Sequence, residues 1–145
     1  MASSGDAAPV EGSSDGFSVV TTNGASFSVP AGRPTVLFFM TTEGCASCVE
    51  EAGALNAIAG RWGDRAAILA IEMVPGTPTE YVDTFAEFMG GLRYSVAVDD
   101  GQLVRRFGAR TLDTTVVLDG AGREVFRDQV PTDEATLEDA LVRAT

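Results

Sequence analysis

The longest unbroken apolar run, Val36-Leu-Phe-Phe-Met40, lacks the alternation of a half-exposed strand. With Thr35 it predicts a strand covered on both faces, the signature of a central position in a sheet. Phe17-Ser-Val-Val and Ser26-Phe-Ser-Val alternate instead, and Asn23-Gly24 lies between them, which reads as a β-hairpin. Pro30 to Pro34 forms a turn. Cys48, Ala52, Leu55, Ala59 and Trp62 recur at spacings of 4, 3, 4 and 3, one face of a helix running from about Cys45 to Trp62.

Further along, Ala67 to Val74 reads as a second buried strand. Pro78 opens a helix with Val82, Phe85, Phe88 and Met89 at helical intervals. Val96 to Val98 is a short edge segment, and Gln102 to Phe107 a short helix ending at Gly108. Thr114 to Leu118 is a strand, Asp119 to Gly122 a turn, and Glu124 to Phe126 returns antiparallel. Thr132 is expected to cap a last helix with Asp133 and Glu134 in its first turn and Leu137 and Leu141 inward. The order predicts an α/β core, a mixed sheet with helices on both faces.

The chain has 145 residues, 45% of them hydrophobic, enough for one domain with a real core. Residues 1–16 are Ser, Gly, Ala, Asp and Pro with little to bury, and read as a flexible linker ahead of a domain over 17–145. No run approaches the length needed to cross a bilayer, and no charged-then-apolar leader opens the chain. Two settings fit: a cytosolic protein, or a chain that begins after a removed leader or anchor. The net charge of −11, from 21 acids against 10 basic residues, argues against binding nucleic acid. All the basic residues are arginine, and histidine is absent. Without histidine there is no Ser/His/Asp or Cys/His catalytic set and no common zinc or copper site within one chain.

Chemistry concentrates at Cys45-Ala46-Ser47-Cys48, the only two cysteines, placed after the buried strand and at the head of a helix. Such a pair can pass between dithiol and disulfide with little backbone movement. A purely structural disulfide is a weak reason for the spacing, because closing so short a loop contributes only about 2 kcal/mol. Capture of a soft ion by the two thiolates is the remaining reading.

At this point the chain resembles the thioredoxin-like superfamily, in particular its extracytoplasmic TlpA/ResA-type thiol–disulfide oxidoreductases. Three stretches carry the resemblance: the hairpin and Gly32-Arg-Pro-Thr-Val-Leu-Phe-Phe leading into Cys45-Ala-Ser-Cys48; Cys48-Val-Glu-Glu51, which looks like the family's C-x-x-C-x-x-E; and Phe107 to Arg123, which looks like its cis-proline segment and following hairpin. The resemblance implies thiol–disulfide exchange on protein thiols and disulfides, no cofactor, a monomer, tethering outside the cytoplasmic membrane, and a membrane reductase as electron donor. It also places a substrate-binding segment at Leu112, Asp113 and Thr114. Three positions depart from the pattern. Glu43-Gly44 replace the tryptophan before the first cysteine, Phe39 replaces a buried polar residue, and Asp113 stands at the cis-proline position. A cis bond at a non-proline residue costs about 2.5–4 kcal/mol, so a trans Leu112–Asp113 bond is expected.

Cys45, at the amino end of the helix, is the expected nucleophile, because unpaired N–H groups and the helix dipole favour a thiolate there. Cys48, one turn in, is the expected resolving thiol. Glu43 and Asp113 oppose the thiolate, which predicts a thiol of little-depressed pKa and a reductant rather than a strong oxidant. Glu51 is either a proton relay behind the cysteines or a helix-surface carboxylate. Besides catalysis, two classes stay open: a soft-metal-binding or metallochaperone domain using the same thiols, and a non-catalytic interaction domain of thioredoxin fold.

Overall fold

The computed structural model describes residues 16–145; apart from Gly16, the linker expected over 1–16 lies outside the described residues. Strand β3 (Thr35–Met40) is the middle of a five-stranded sheet and is buried along its whole length. Strands β4 (Ala67–Glu72) and β5 (Ser95–Val98) extend the sheet on one side, both parallel. Strands β6 (Thr114–Leu118) and β7 (Glu124–Asp128) extend it on the other, both antiparallel. The spatial order is β5-β4-β3-β6-β7. A separate antiparallel hairpin joins β1 (Phe17–Val20) to β2 (Ser26–Val29), as the Asn-Gly turn predicts.

The pleat of β3 divides the core in two. Val36, Phe38 and Met40 face a cluster completed by helix α1 (Ala46–Trp62), helix α2 (Thr79–Phe88) and helix α4 (Glu134–Arg143). Leu37 and Phe39 face the opposite way, toward Leu103 and Phe107 of helix α3 (Gln102–Phe107) and toward Phe17, Val19 and Phe27 of the hairpin. A strand that is apolar at every position needs cover on both sides, and the hairpin supplies part of the second cover.

Four expectations change in detail. β4 ends at Glu72 rather than Val74: Met73 N–H still donates to Met40 O, but Val74 N–H turns onto the Glu72 carboxylate. The inward face of α1 uses Ile58 in place of Ala59 and also buries Glu51. Phe88, expected to face inward, is 73% exposed. Thr132 does not cap α4; Asp133 does, its Oδ1 accepting from Thr136 N–H at 2.8 Å, while Thr132 is turned into the interior. The cap predicts that Asp133→Ala lowers the urea midpoint of unfolding, with an unchanged m-value.

Candidate active site

The site is assembled where β3 gives way to α1. Strand β3 ends at Met40, and Thr41 to Gly44 turn the chain so that Cys45 becomes the N-cap of α1. Gly44 adopts φ +72°, which a residue without a side chain takes up at little cost. A buried carboxylate holds this turn. Glu72 Oε1 accepts from the Thr42 N–H at 2.8 Å and from its hydroxyl at 3.0 Å, while Oε2 accepts from Val74 N–H at 3.0 Å. Glu72 was not singled out in the sequence, although a lone acid closing an apolar strand is a detectable signal.

Cys45 and Cys48 are joined in a disulfide with Cα atoms 5.3 Å apart. Cys45 is half-buried and Cys48 wholly buried. The Cys48 N–H donates to Cys45 Sγ at 3.2 Å, so the leading sulfur lies within the field of the helix amino end.

Leu112 and Asp113 are joined by a trans bond; the cis peptide among the described residues is Val29–Pro30. Asp113 takes φ +69°, a conformation unusual for a residue with a side chain, and its N–H donates to Phe39 O at 2.9 Å. Its carboxylate is buried beside the disulfide. Cys45 Sγ, Cys48 Sγ and an Asp113 oxygen all lie within 4.8 Å of one another. Asp113 Oδ2 accepts from Ser47 Oγ at 2.5 Å, a contact made by the second variable residue of the C-x-x-C. Thr114 is wholly buried and its hydroxyl donates to Thr111 O at 2.8 Å, whereas Leu112 is 37% exposed. Of the expected substrate-binding trio, Leu112 alone offers surface.

Glu51 lies on the inward face of α1, so the surface alternative for it falls. Thr115 Oγ1 donates to its Oε2 at 2.5 Å and Thr132 N–H to its Oε1 at 2.9 Å. Burial raises its pKa to about 8, with the Asp128 and Asp113 charges adding to the effect. Asp128 is also raised, by burial first and then by Asp113, and it accepts from Thr132 Oγ1 at 2.8 Å. Thr132 therefore links two of three carboxylates gathered behind the disulfide. Those threonines lie 64 and 81 positions from Glu51, beyond the reach of any local pattern.

In front of Cys45 opens a groove of about 730 Å³. Val49, Tyr81, Phe85 and Phe88 line its apolar side, and Thr42, Glu43 and Thr84 add polar atoms. Tyr81 and Phe88 are 43% and 73% exposed, so α2 presents two aromatic rings to whatever approaches the sulfur.

A mixed sheet with a strand–turn–helix junction, carrying a surface-reaching C-x-x-C disulfide at the helix start, defines a thioredoxin-like thiol–disulfide oxidoreductase. The chain belongs to the AhpC/TSA family, whose profile matches residues 10–125. No curated protein matches it by sequence. Among solved structures it is similar to StoA from Bacillus subtilis, at 20% identity and TM-score 0.76, over 89% of this chain and 98% of that one. A thioredoxin-family thiol:disulfide interchange protein from Chlorobium tepidum superposes at 23% identity and TM-score 0.74, over 97% and 99% of the two chains. A secreted Mycobacterium tuberculosis disulfide oxidoreductase does so at 22% and 0.73, over 88% and 95%. No helix among the described residues is long and apolar enough to cross a membrane.

The raised Glu51 pKa sets a stability profile. Unfolded Glu51 ionises near its ordinary value of 4.5, whereas folded Glu51 holds its proton to about 8. Below pH 4.5 both states are protonated and the contribution is fully present. As pH rises from 4.5 to 8 only the unfolded state ionises, so stability is lost across that window and levels off above it. Glu51→Gln is expected to flatten this decline, as read from urea unfolding at pH 5 and pH 8.

Proposed function

We propose that the protein reduces disulfides on other proteins, with Cys45 as nucleophile and Cys48 as the resolving thiol. The reading is carried by one observation: half-buried Cys45 at the head of α1 lines a groove flanked by exposed aromatic rings, while Cys48 is wholly buried. In the reduced protein the Cys45 thiolate attacks one sulfur of a substrate disulfide. A mixed disulfide forms and the substrate's other sulfur leaves as a thiolate. Cys48 then attacks Cys45 Sγ, releasing the substrate as a dithiol and leaving the Cys45–Cys48 bond. Two electrons pass to the substrate, and a reductant must return two for the next turn.

Glu51 is suited to receive the proton that Cys48 gives up in the second step. It follows Cys48 by one helical turn on the same buried face, and its pKa of about 8 lies close to that of an ordinary thiol. Direction follows from charge. The Asp113 carboxylate beside the sulfurs disfavours a thiolate in the reduced form. A reduced form that gains little from its thiolate gives up electrons readily, which is the behaviour of a reductant.

Of Leu112, Asp113 and Thr114, in this reading exposed Leu112 touches the visitor, Asp113 acts on the sulfurs and buried Thr114 supports the segment. An extracytoplasmic site of action with a membrane reductase as donor is the setting that the TlpA/ResA-type resemblance supports. A secreted disulfide oxidoreductase among the structural neighbours is in keeping with it.

Turnover is tested with insulin as the protein disulfide. Wild type is expected to reduce it, Cys45→Ser to lose the activity altogether, and Cys48→Ser to accumulate a mixed disulfide separable on non-reducing gels. A reduction potential nearer thioredoxin's value of about −270 mV than DsbA's of about −120 mV is expected from equilibration with dithiothreitol; a potential at the oxidising end would sink the proposed direction. For the groove, Phe88→Ser should raise KM for the protein substrate several-fold with little change in kcat.

A further inference from the structure

Asp113 Oδ1 is buried and has no hydrogen-bond partner among the described residues. Asp113 as a whole is 5% exposed, and only its other oxygen is satisfied, by Ser47. A buried carboxylate oxygen left without a donor keeps its full desolvation cost, so its retention calls for a reason. Its surroundings offer one, because a carboxylate oxygen of Asp113 and both cysteine sulfurs cluster within 4.8 Å.

The sulfurs are bonded to each other in the structure and offer no anion. Reduction turns them into two thiols at the same place. A four-coordinate zinc ion binds thiolate sulfur at about 2.3 Å and carboxylate oxygen at about 2.0–2.2 Å, which sets its donors roughly 3.5–3.8 Å apart in a tetrahedron. The spacing needs only that the two sulfurs separate once their bond is gone, while Asp113 already lies close to both. Charge favours the same outcome. Asp113 acts as a charge on both Glu51 and Asp128, and no basic side chain is among the groups that shift either, so a divalent cation beside Asp113 meets no competing cation.

We propose that the reduced protein binds one zinc ion per chain through Cys45, Cys48 and Asp113, with the fourth position open toward the groove for water or a partner's donor atom. Binding displaces the two thiol protons to solvent, and no electrons move. In the metal-free fraction a substrate disulfide takes two electrons from the dithiol and becomes a dithiol itself, leaving the Cys45–Cys48 bond; this removes two of the three ligands, so the ion and the disulfide exclude each other. The zinc-loaded form is expected to be inert in disulfide exchange until the ion is removed.

The test uses protein reduced with a phosphine, freed of it anaerobically, and titrated with zinc against a chromophoric chelator. One equivalent per chain should bind to the reduced wild type and none to the oxidised protein. Asp113→Asn should bind more than about tenfold less tightly, the least expected when even an outer-shell partner of a metal is lost. Asp139→Asn, an exposed carboxylate of α4 paired with Arg143, should retain one equivalent. Equal binding by oxidised protein, equal affinity in Asp113→Asn, or half an equivalent per chain would each overturn the proposal. X-ray absorption of the zinc-loaded wild type needs no variant: two sulfurs with lighter scatterers supports the site, and four sulfurs refutes it. Insulin reduction by metal-free wild type, measured with chelator present, is read separately, so failure of zinc binding and failure of the reductase reading are distinguishable.

Discussion

The short turn between β3 and α1 is the constraint on which the site depends. It must stop a wholly buried strand and start a helix within five residues, while keeping one sulfur near the surface. Glu72 fixes it from the end of the neighbouring strand, where its carboxylate satisfies the Thr42 amide and hydroxyl and the Val74 amide. Two parallel strands are in register up to this point, with Met40 opposite Glu72. The reactive turn therefore inherits the rigidity of the sheet. Preorganisation of this kind lets a four-residue motif hold its sulfur at a helix end without movement during exchange.

Behind the disulfide the structure gathers acids instead of balancing them. Glu51, Asp113 and Asp128 come from α1, the segment before β6, and the end of β7, and threonines rather than cations satisfy most of their oxygens. Hydroxyl and amide donors suit a carboxyl group that gains and loses a proton, because they do not fix it in the charged state as an arginine would. The arrangement is electrostatically costly for a thiolate and favourable for a proton or a cation, and both functional readings follow from that bias.

Much of the architecture was legible because its signals are local. The apolar run of β3, the Asn-Gly hairpin, the C-x-x-C at a helix start and the strand at Thr114–Leu118 all stand where their patterns put them. What escaped depends on distant partners. Thr132 has the composition of a cap, but Asp133 beside it takes that role and leaves Thr132 to bridge Glu51 and Asp128. Phe88 fits a helical stripe by spacing, yet α2 is short and its last turn extends past the core into the groove. The facing of Asp113 toward the sulfurs was inferred by alignment to a pattern, whereas its bond to Ser47 spans 66 positions and has no sequence signal.

The sheet has two outer strands, and each is guarded. On the β5 side the hairpin reaches across, the Thr22 amide donating to Val96 O at 2.8 Å, so part of that rim is already occupied from within the chain. On the β7 side the short strand carries Glu124, Arg127 and Asp128, with Arg127 paired to Glu124. Charges on a brief rim discourage a second sheet from adding on. A thiol–disulfide oxidoreductase built this way leaves an approaching chain little backbone on which to polymerise, and directs contact to the sulfur instead.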